Sequence, residues 1–204
     1  VIAYWTTATT GAASQPGFDI VAKIYDPLGN LVRDEFRLNT FSPADDEYDF
    51  ELAASPSGGF SVIYEDRGDP GTDWNIRIDH FSGSGVHLDG ASIISDPDGY
   101  DGGNPTFRNP DVTSQSDSAI LATYEVYDSV NDVVDIRGKI YNASAGTVSS
   151  EFTIAPTSVY DPGSGETLNS HSTTTLTTGE HVVAWADGNP GNDVVQFKLL
   201  NTDG

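Results

Sequence analysis

Residues 19–25 read DIVAKIY and residues 135–141 read DIRGKIY, so Asp19, Ile20, Lys23, Ile24 and Tyr25 all recur in the same order far along the chain. The match extends: Glu35-Phe36 returns as Glu151-Phe152 at the same offset. A half-period copy, DWNIRID (73–79), sets Arg77 and Ile78 in the register of Lys23 and Ile24. A fourth, VVQFKLL (194–200), sets Lys198 in the register of Lys139. The run before each copy repeats too: VIAYW (1–5), FSVIY (60–64), ILATY (120–124) and HVVAW (181–185). Each closes on an aromatic, and these aromatics, Trp5, Tyr64, Tyr124 and Trp185, stand at nearly equal intervals. The chain is a series of copies of one unit of about 60 residues, and a fixed period of that order marks stacked repeats.

Within a unit the period is 2. Ile20, Ala22 and Ile24 alternate with Val21, Lys23 and Tyr25, and Ile76 and Ile78 with Asn75, Arg77 and Asp79. That is the alternation of a strand whose two faces differ. Gly, Pro, Asn and Asp punctuate the runs at DPLGN (26–30), SPSGG (55–59), SGSG (82–85) and DGNPGND (187–193), as tight turns require. No stretch offers a capped amphipathic helix. Four short strands per unit predict an all-β chain, a β-propeller-like array of four-stranded antiparallel blades with about three and a half blades present. The expected partition is 1–46 (partial), 47–104, 105–164 and 165–204 (partial). The first unit begins on its second strand and the last ends after its third. Their missing partners are expected from flanking blades of a longer parent chain, the favoured source, or from other copies. Tandem β-sandwich domains are the alternative, although their module runs nearer to about 100 residues.

The chain carries 31 acidic against 9 basic residues, a net charge of −22 over 204 residues. Such a surface excludes nucleic acid as a partner and gives no hold on anionic membranes, because both need a cationic face. No apolar run approaches the ~20 residues of a membrane span, so no membrane insertion is expected. The same charge attracts cations. With 37% hydrophobic and 10% aromatic residues the chain is expected to fold despite its acidity. It has no cysteine, hence neither disulfides nor thiolate metal sites, and no methionine even at position 1, which reads as a piece of something longer.

At KIYDPLGNLV (23–32), EFRLNT (35–40) and SGGFSVIYED (57–66) the sequence resembles a repeat of large secreted, RTX-type calcium-dependent bacterial proteins and adhesins. The second copy lacks the E-F-x-V-N-T segment of that repeat, and the nonapeptide calcium roll is absent. The resemblance implies an extracellular or cell-surface bacterial location and no catalytic residues.

Several clusters bear chemistry. DPDGYDGG (96–103) sets Asp96, Asp98 and Asp101 close together among glycines, and closely spaced carboxylates on a wrapping loop supply oxygens for Ca²⁺. SPADDEYD (42–49), with Asp45, Asp46 and Glu47, occupies the corresponding inter-blade position and is the second calcium candidate. Solvated turns are the alternative for both. Trp5, Tyr64, Tyr124 and Trp185 are candidates for stacking on sugar rings if exposed, or else for packing between blades. The basic position repeated at Lys23, Arg77, Lys139 and Lys198 reads as an ion-pair ladder with packed stems. EDRGDPGTDW (65–74) resembles the Asp-box brace of sialidase-like propellers. The four histidines, His80, His87, His171 and His181, show no metal-ligand spacing, and no nucleophile elbow occurs.

The resulting expectation is a non-catalytic extracellular or cell-surface segment serving adhesion or assembly, with cell-surface glycans as further partners. The alternatives are a lectin-like carbohydrate-binding propeller and a non-catalytic part or scaffold of a polysaccharide-degrading enzyme. If the acidic clusters hold calcium, millimolar Ca²⁺ raises the melting temperature above that in Na⁺ of matched ionic strength. Identical melting curves in the two salts reduce the effect to screening.

Overall fold

The computed structural model describes residues 2–8, 18–41, 46–67, 74–95, 106–116, 119–128, 133–159, 171–187, 194–202 and 204. Among these lie fifteen strands and no helix. The first sheet is β1 (Ile2–Ala8), β2 (Phe18–Tyr25) and β3 (Leu31–Arg37). The second is β4 (Asp46–Ala54), β5 (Phe60–Arg67), β6 (Trp74–Phe81) and β7 (His87–Ile93). The third holds β8 (Thr106–Ser116), β9 (Ala119–Asp128), β10 (Val133–Asn142), the short β11 (Thr147–Val148) and β12 (Phe152–Val159). The fourth is β13 (Ser172–Thr175), β14 (His181–Asp187) and β15 (Val194–Leu200). Every pairing is antiparallel, and the sheets are meanders.

Four hairpins turn in the same way. In 26–30, 55–59, 82–86 and 176–180 the first residue's N–H donates to the fifth residue's carbonyl at 2.8–2.9 Å. The fourth residue donates back to the first at 2.8–3.0 Å. That fourth residue is Gly29, Gly58, Gly85 or Gly179, at φ 84°, 98°, 80° and 94°. A side chain at such φ is strained, which is why glycine recurs there. In the first of these turns Asp26 adds its carboxylate, which accepts from the N–H groups of Leu28 and Asn30 at 2.9 and 2.8 Å.

Alternation along the strands serves two neighbours at once. In β5, Phe60, Val62 and Tyr64 pack with Ile20, Ala22 and Ile24 of the first sheet. Ile63, on the other face, joins the third sheet's Ile120, Ala122 and Tyr124 in a second cluster. In β9 the face is switched again: Leu121 packs with Ile136, Ile154 and the fourth sheet's Val183, with Trp185 against them. Tyr64, Tyr124 and Trp185 therefore each face the preceding sheet, and β5 and β9 are buried on both faces. The repeated cations are tied into the same frame. Arg77 is buried in an ion pair with Asp66 and lies over the Phe41 ring at 3.4 Å. Lys23 pairs with Asp34 at 3.1 Å, and Lys198 donates to the carbonyl of Thr153 at 3.1 Å.

The second unit keeps the geometry of the segment it had lost in sequence. In the first sheet Leu38 N–H donates to the Ile20 carbonyl and Ile20 N–H to Asn39 Oδ1, at 2.8 and 2.9 Å. In the second, Ile94 N–H donates to the Ile76 carbonyl and Ile76 N–H to Ser95 Oγ, at the same distances. A serine hydroxyl thus replaces an asparagine amide oxygen as the acceptor. Truncating Ile63, fully buried between two sheets, to Ala is expected to destabilise by about 2–5 kcal/mol in urea denaturation. Leu28→Ala, on a turn 87% exposed, is expected to change stability by under about 0.5 kcal/mol.

Candidate functional site

The innermost strands of three sheets, β4, β8 and β13, pack side by side. Between them opens a cleft of about 570 Å³. Asp49, Phe50 and Glu51 line it from β4, Asn109, Pro110 and Asp111 from β8, and His171 and Ser172 from the start of the fourth sheet. The first two triplets occupy equivalent positions of successive units, so the repeat itself brings them to one place.

Both strands bulge where they line the cleft. Register slips between Tyr48 and Phe50 in β4 and between Arg108 and Asp111 in β8. Asp49 and Asn109 sit at φ 32° and 49°, the positive-φ non-glycine residues among those described. Asp and Asn tolerate this region better than other side chains, and a bulge re-aims a side chain off the ladder.

Buried carboxylates hold the second bulge from beneath. Asn109 N–H donates to Glu65 Oε1 at 2.7 Å and Asn109 Nδ2 to Glu125 Oε2 at 2.8 Å. Arg108 Nε donates to the same Glu125 oxygen at 3.1 Å. Glu65 and Glu125 are themselves equivalent positions, each following the repeat tyrosine. Burial pushes the Glu65 carboxyl up to about 7, against the relief from the Asn109 N–H. Burial raises Glu125 also, with Arg108 opposing it.

At the cleft wall Asp111 Oδ2 accepts from Thr173 N–H at 2.5 Å and Oδ1 from Val112 N–H at 2.8 Å, tying the third sheet to the fourth. Burial raises its carboxyl. Glu51 is exposed to the cleft, and partial burial followed by the charge of Asp111 raises its carboxyl too. His171 is buried, with Nε2 2.8 Å from Thr123 Oγ1. Burial pushes it down to about 4, so its ring is neutral at physiological pH. Its Nδ1 has no hydrogen-bond partner among the described residues. The cleft thus offers carboxylates, an amide and a neutral imidazole, a donor and acceptor set suited to sugar hydroxyls.

The residues expected from sequence lie elsewhere. Tyr64 and Tyr124 are fully buried, a correction to their role as sugar-stacking rings. Their hydroxyls donate to Asp79 Oδ2 at 2.8 Å and Glu151 Oε2 at 2.5 Å, inside the protein. Asp79 also accepts from Thr40 Oγ1 at 2.6 Å and stands 2.7 Å from His87 Nε2. Trp185 is partly buried against the third sheet, and the side chain of Trp5 lies outside the described residues. Asp46 and Glu47 belong to strand β4 and not to a loop, and Glu47 is 1% exposed. Asp45, Asp96, Asp98 and Asp101, the side chain of Asp46, and the brace-like residues 68–73 lie outside the described residues. No cluster of metal-ligating side chains occurs among the described residues.

No family model and no curated protein sequence matches the chain. Among solved structures it is similar to an endo-arabinase from Bacteroides thetaiotaomicron, at 11% identity and a TM-score of 0.51, over 97% of this chain and 70% of that one. A GH43 endo-arabinanase from Bacillus licheniformis matches at 10% identity and a TM-score of 0.45, over 97% and 68%. These enzymes are five-bladed β-propellers. The fold is β-propeller-like. One finding corrects the expectation of a non-catalytic adhesion or assembly scaffold: a solved structure that shares the fold is an endo-arabinase.

Glu65 makes stability depend on pH in a defined sense. From its ordinary 4.5 up to about 7 the folded protein holds a proton that the unfolded chain has released. This contribution is therefore complete below the ordinary value and is lost as pH rises toward 7, by up to about 3 kcal/mol. Glu65→Gln keeps an acceptor for Asn109 and is expected to remove that loss. Urea denaturation at about pH 5 and about pH 8 measures it, as a smaller difference between the two pH values in the variant than in the wild type.

Proposed function

We propose that the chain is a carbohydrate-active propeller that holds a polysaccharide in the cleft between β4, β8 and β13. The observation that carries this reading is the pair of matched bulges, which turn Asp49-Phe50-Glu51 and Asn109-Pro110-Asp111 toward one acid-lined cavity. Backbone strain gathers where a site needs it, and sugar hydroxyls are bound by carboxylate and amide groups in such clefts. An extracellular setting accords with a polysaccharide ligand and with the acidic surface.

A hydrolytic role is favoured by one further observation. Glu51 and Asp111 share the cleft, and the charge of Asp111 adds to burial in raising Glu51. Paired carboxylates in unlike environments are the machinery of glycoside cleavage. In this reading Glu51, open to the cleft, is the proton donor. Asp111, fixed by the Thr173 and Val112 N–H groups, is its anionic partner.

The fold's neighbour makes arabinan the first polysaccharide to test. Wild-type protein is expected to bind debranched arabinan in calorimetry and to release reducing ends from it. Glu51→Gln is expected to keep binding and lose turnover by about 100-fold or more, the range general-acid groups supply. Binding without turnover supports a lectin-like cleft. Absence of binding to arabinan and to other neutral polysaccharides overturns the reading.

A further inference from the structure

The walls of the cleft have a one-sided chemistry. Three of the lining residues are acids, Asp49, Glu51 and Asp111. The ion pairs among the described residues all lie elsewhere and use none of the three. Of the chain's nine Lys and Arg residues all but Arg67 have described side chains, and none of these lines the cleft. The acids act on one another instead: burial first, and then the charge of Asp111, raises the Glu51 carboxyl.

Hydrogen bonding is one-sided in the same sense, because the donors of the wall are turned onto its acids. Asp111 takes the N–H groups of Thr173 and Val112, and the Ser172 side chain donates to it as well. Asn109 commits its backbone N–H to Glu65 and its side-chain amide to Glu125. Pro110 has no N–H to offer. His171 adds an acceptor. Thr123 Oγ1 donates its one proton to the Asp111 carbonyl at 3.4 Å, so toward His171 it accepts, from Nε2–H at 2.8 Å. The neutral ring therefore keeps a bare lone pair on Nδ1. That atom has no hydrogen-bond partner among the described residues, and the ring, on the cavity wall, is only 6% exposed. A buried polar atom without a partner calls for one, and here the partner must be a donor.

Acceptors in excess, with uncompensated negative charge, suit either a metal ion or an organic cation rich in donors. A metal ion needs several of these groups within reach of one centre. No such cluster occurs among the described residues. The acceptors are spread over β4, β8 and the start of the fourth sheet, around a cavity of about 570 Å³, which is the size of an organic ligand's site.

Resting on the reading of the cleft as a polysaccharide site, we infer that its preferred ligand is a glycan with free amino groups, of the glucosamine-polymer type, whose ammonium groups lie against the cleft acids. Each ammonium brings three N–H donors and the missing positive charge, where a hydroxyl brings one donor and no charge. Asp49 is its first contact, being exposed and engaged in no ion pair among the described residues. Neutral chains such as arabinan bind by their hydroxyls alone, and more weakly. Uronate and sulfated chains are repelled, since no described base lines the cleft to receive them.

The experiment is calorimetry of the full chain at mildly acidic pH, where the sugar amines are protonated. The probes are a glucosamine pentamer, its fully N-acetylated counterpart, an arabinan oligomer, a galacturonate oligomer and pentalysine. The glucosamine pentamer is expected to bind one to one and about 10-fold or more tighter than the N-acetylated chain, with no binding of galacturonate. Asp49→Asn, which suits the positive φ at that position, is expected to remove most of this advantage and keep the binding of the neutral chains. Glu35→Gln, an exposed acid on β3, is expected to leave it unchanged. Equal affinity for the amino and N-acetylated chains overturns the inference and leaves the polysaccharide reading standing. Binding of none of the sugars, arabinan included, overturns both. Pentalysine that binds as tightly as the glucosamine pentamer reduces the effect to the net charge of −22 and overturns the inference, as does a loss in Glu35→Gln equal to that in Asp49→Asn.

Discussion

The structure depends on one constraint: a strand with two buried faces must satisfy two different neighbours with alternate residues. In β5 the even positions Phe60, Val62 and Tyr64 belong to the junction behind, and Ile63 to the junction ahead. A slip of one residue would exchange those sets and mismatch both junctions together. The inner sheets are thereby fixed in register more strictly than a sheet with one wet face. The three apolar clusters are accordingly built between sheets, and among the described residues no sheet has a core of its own.

Polar groups inside these junctions are placed under the same constraint. Tyr64 and Tyr124 carry hydroxyls into the apolar clusters, and each ends on a carboxylate. Asp79, fully buried, gathers Tyr64, Thr40 and His87 around one side chain. Toward the cleft, Glu65 and Glu125 take the backbone and side chain of Asn109, whose positive φ they help to hold. Burying an acid is costly unless donors meet it. Here the donors are the strained segment itself, so the acids and the bulge stabilise each other, and the cleft inherits a fixed shape.

The sequence made the architecture legible because its period, its alternation and its turn glycines all report on backbone geometry. Even the apparent loss at Ile94-Ser95 concealed the retained acceptor that Asn39 supplies in the first unit. The site was legible only in part. Asp49-Phe50-Glu51 and Asn109-Pro110-Asp111 stand at the unit offset, yet the inner strand repeats chemistry and not letters, so no identity marks them. Bulges depend on how two strands twist against each other, and a period-2 pattern does not reveal them. The repeat aromatics left two readings open for the opposite reason. Their recurrence was real, but whether a ring stacks on a ligand or on a neighbouring sheet is decided by burial, which spacing leaves open.

The way the sheets meet also bears on how such a chain can change length. Every junction joins the same kind of aliphatic face to the same kind of aromatic-bearing face. A whole unit gained or lost between two neighbours therefore leaves the remaining junctions matched. Unequal recombination at the unit period would be tolerated by the packing, and the four turn glycines, recurring inside the units, would travel with them. The fold thus carries in its interfaces the grammar by which it can be lengthened.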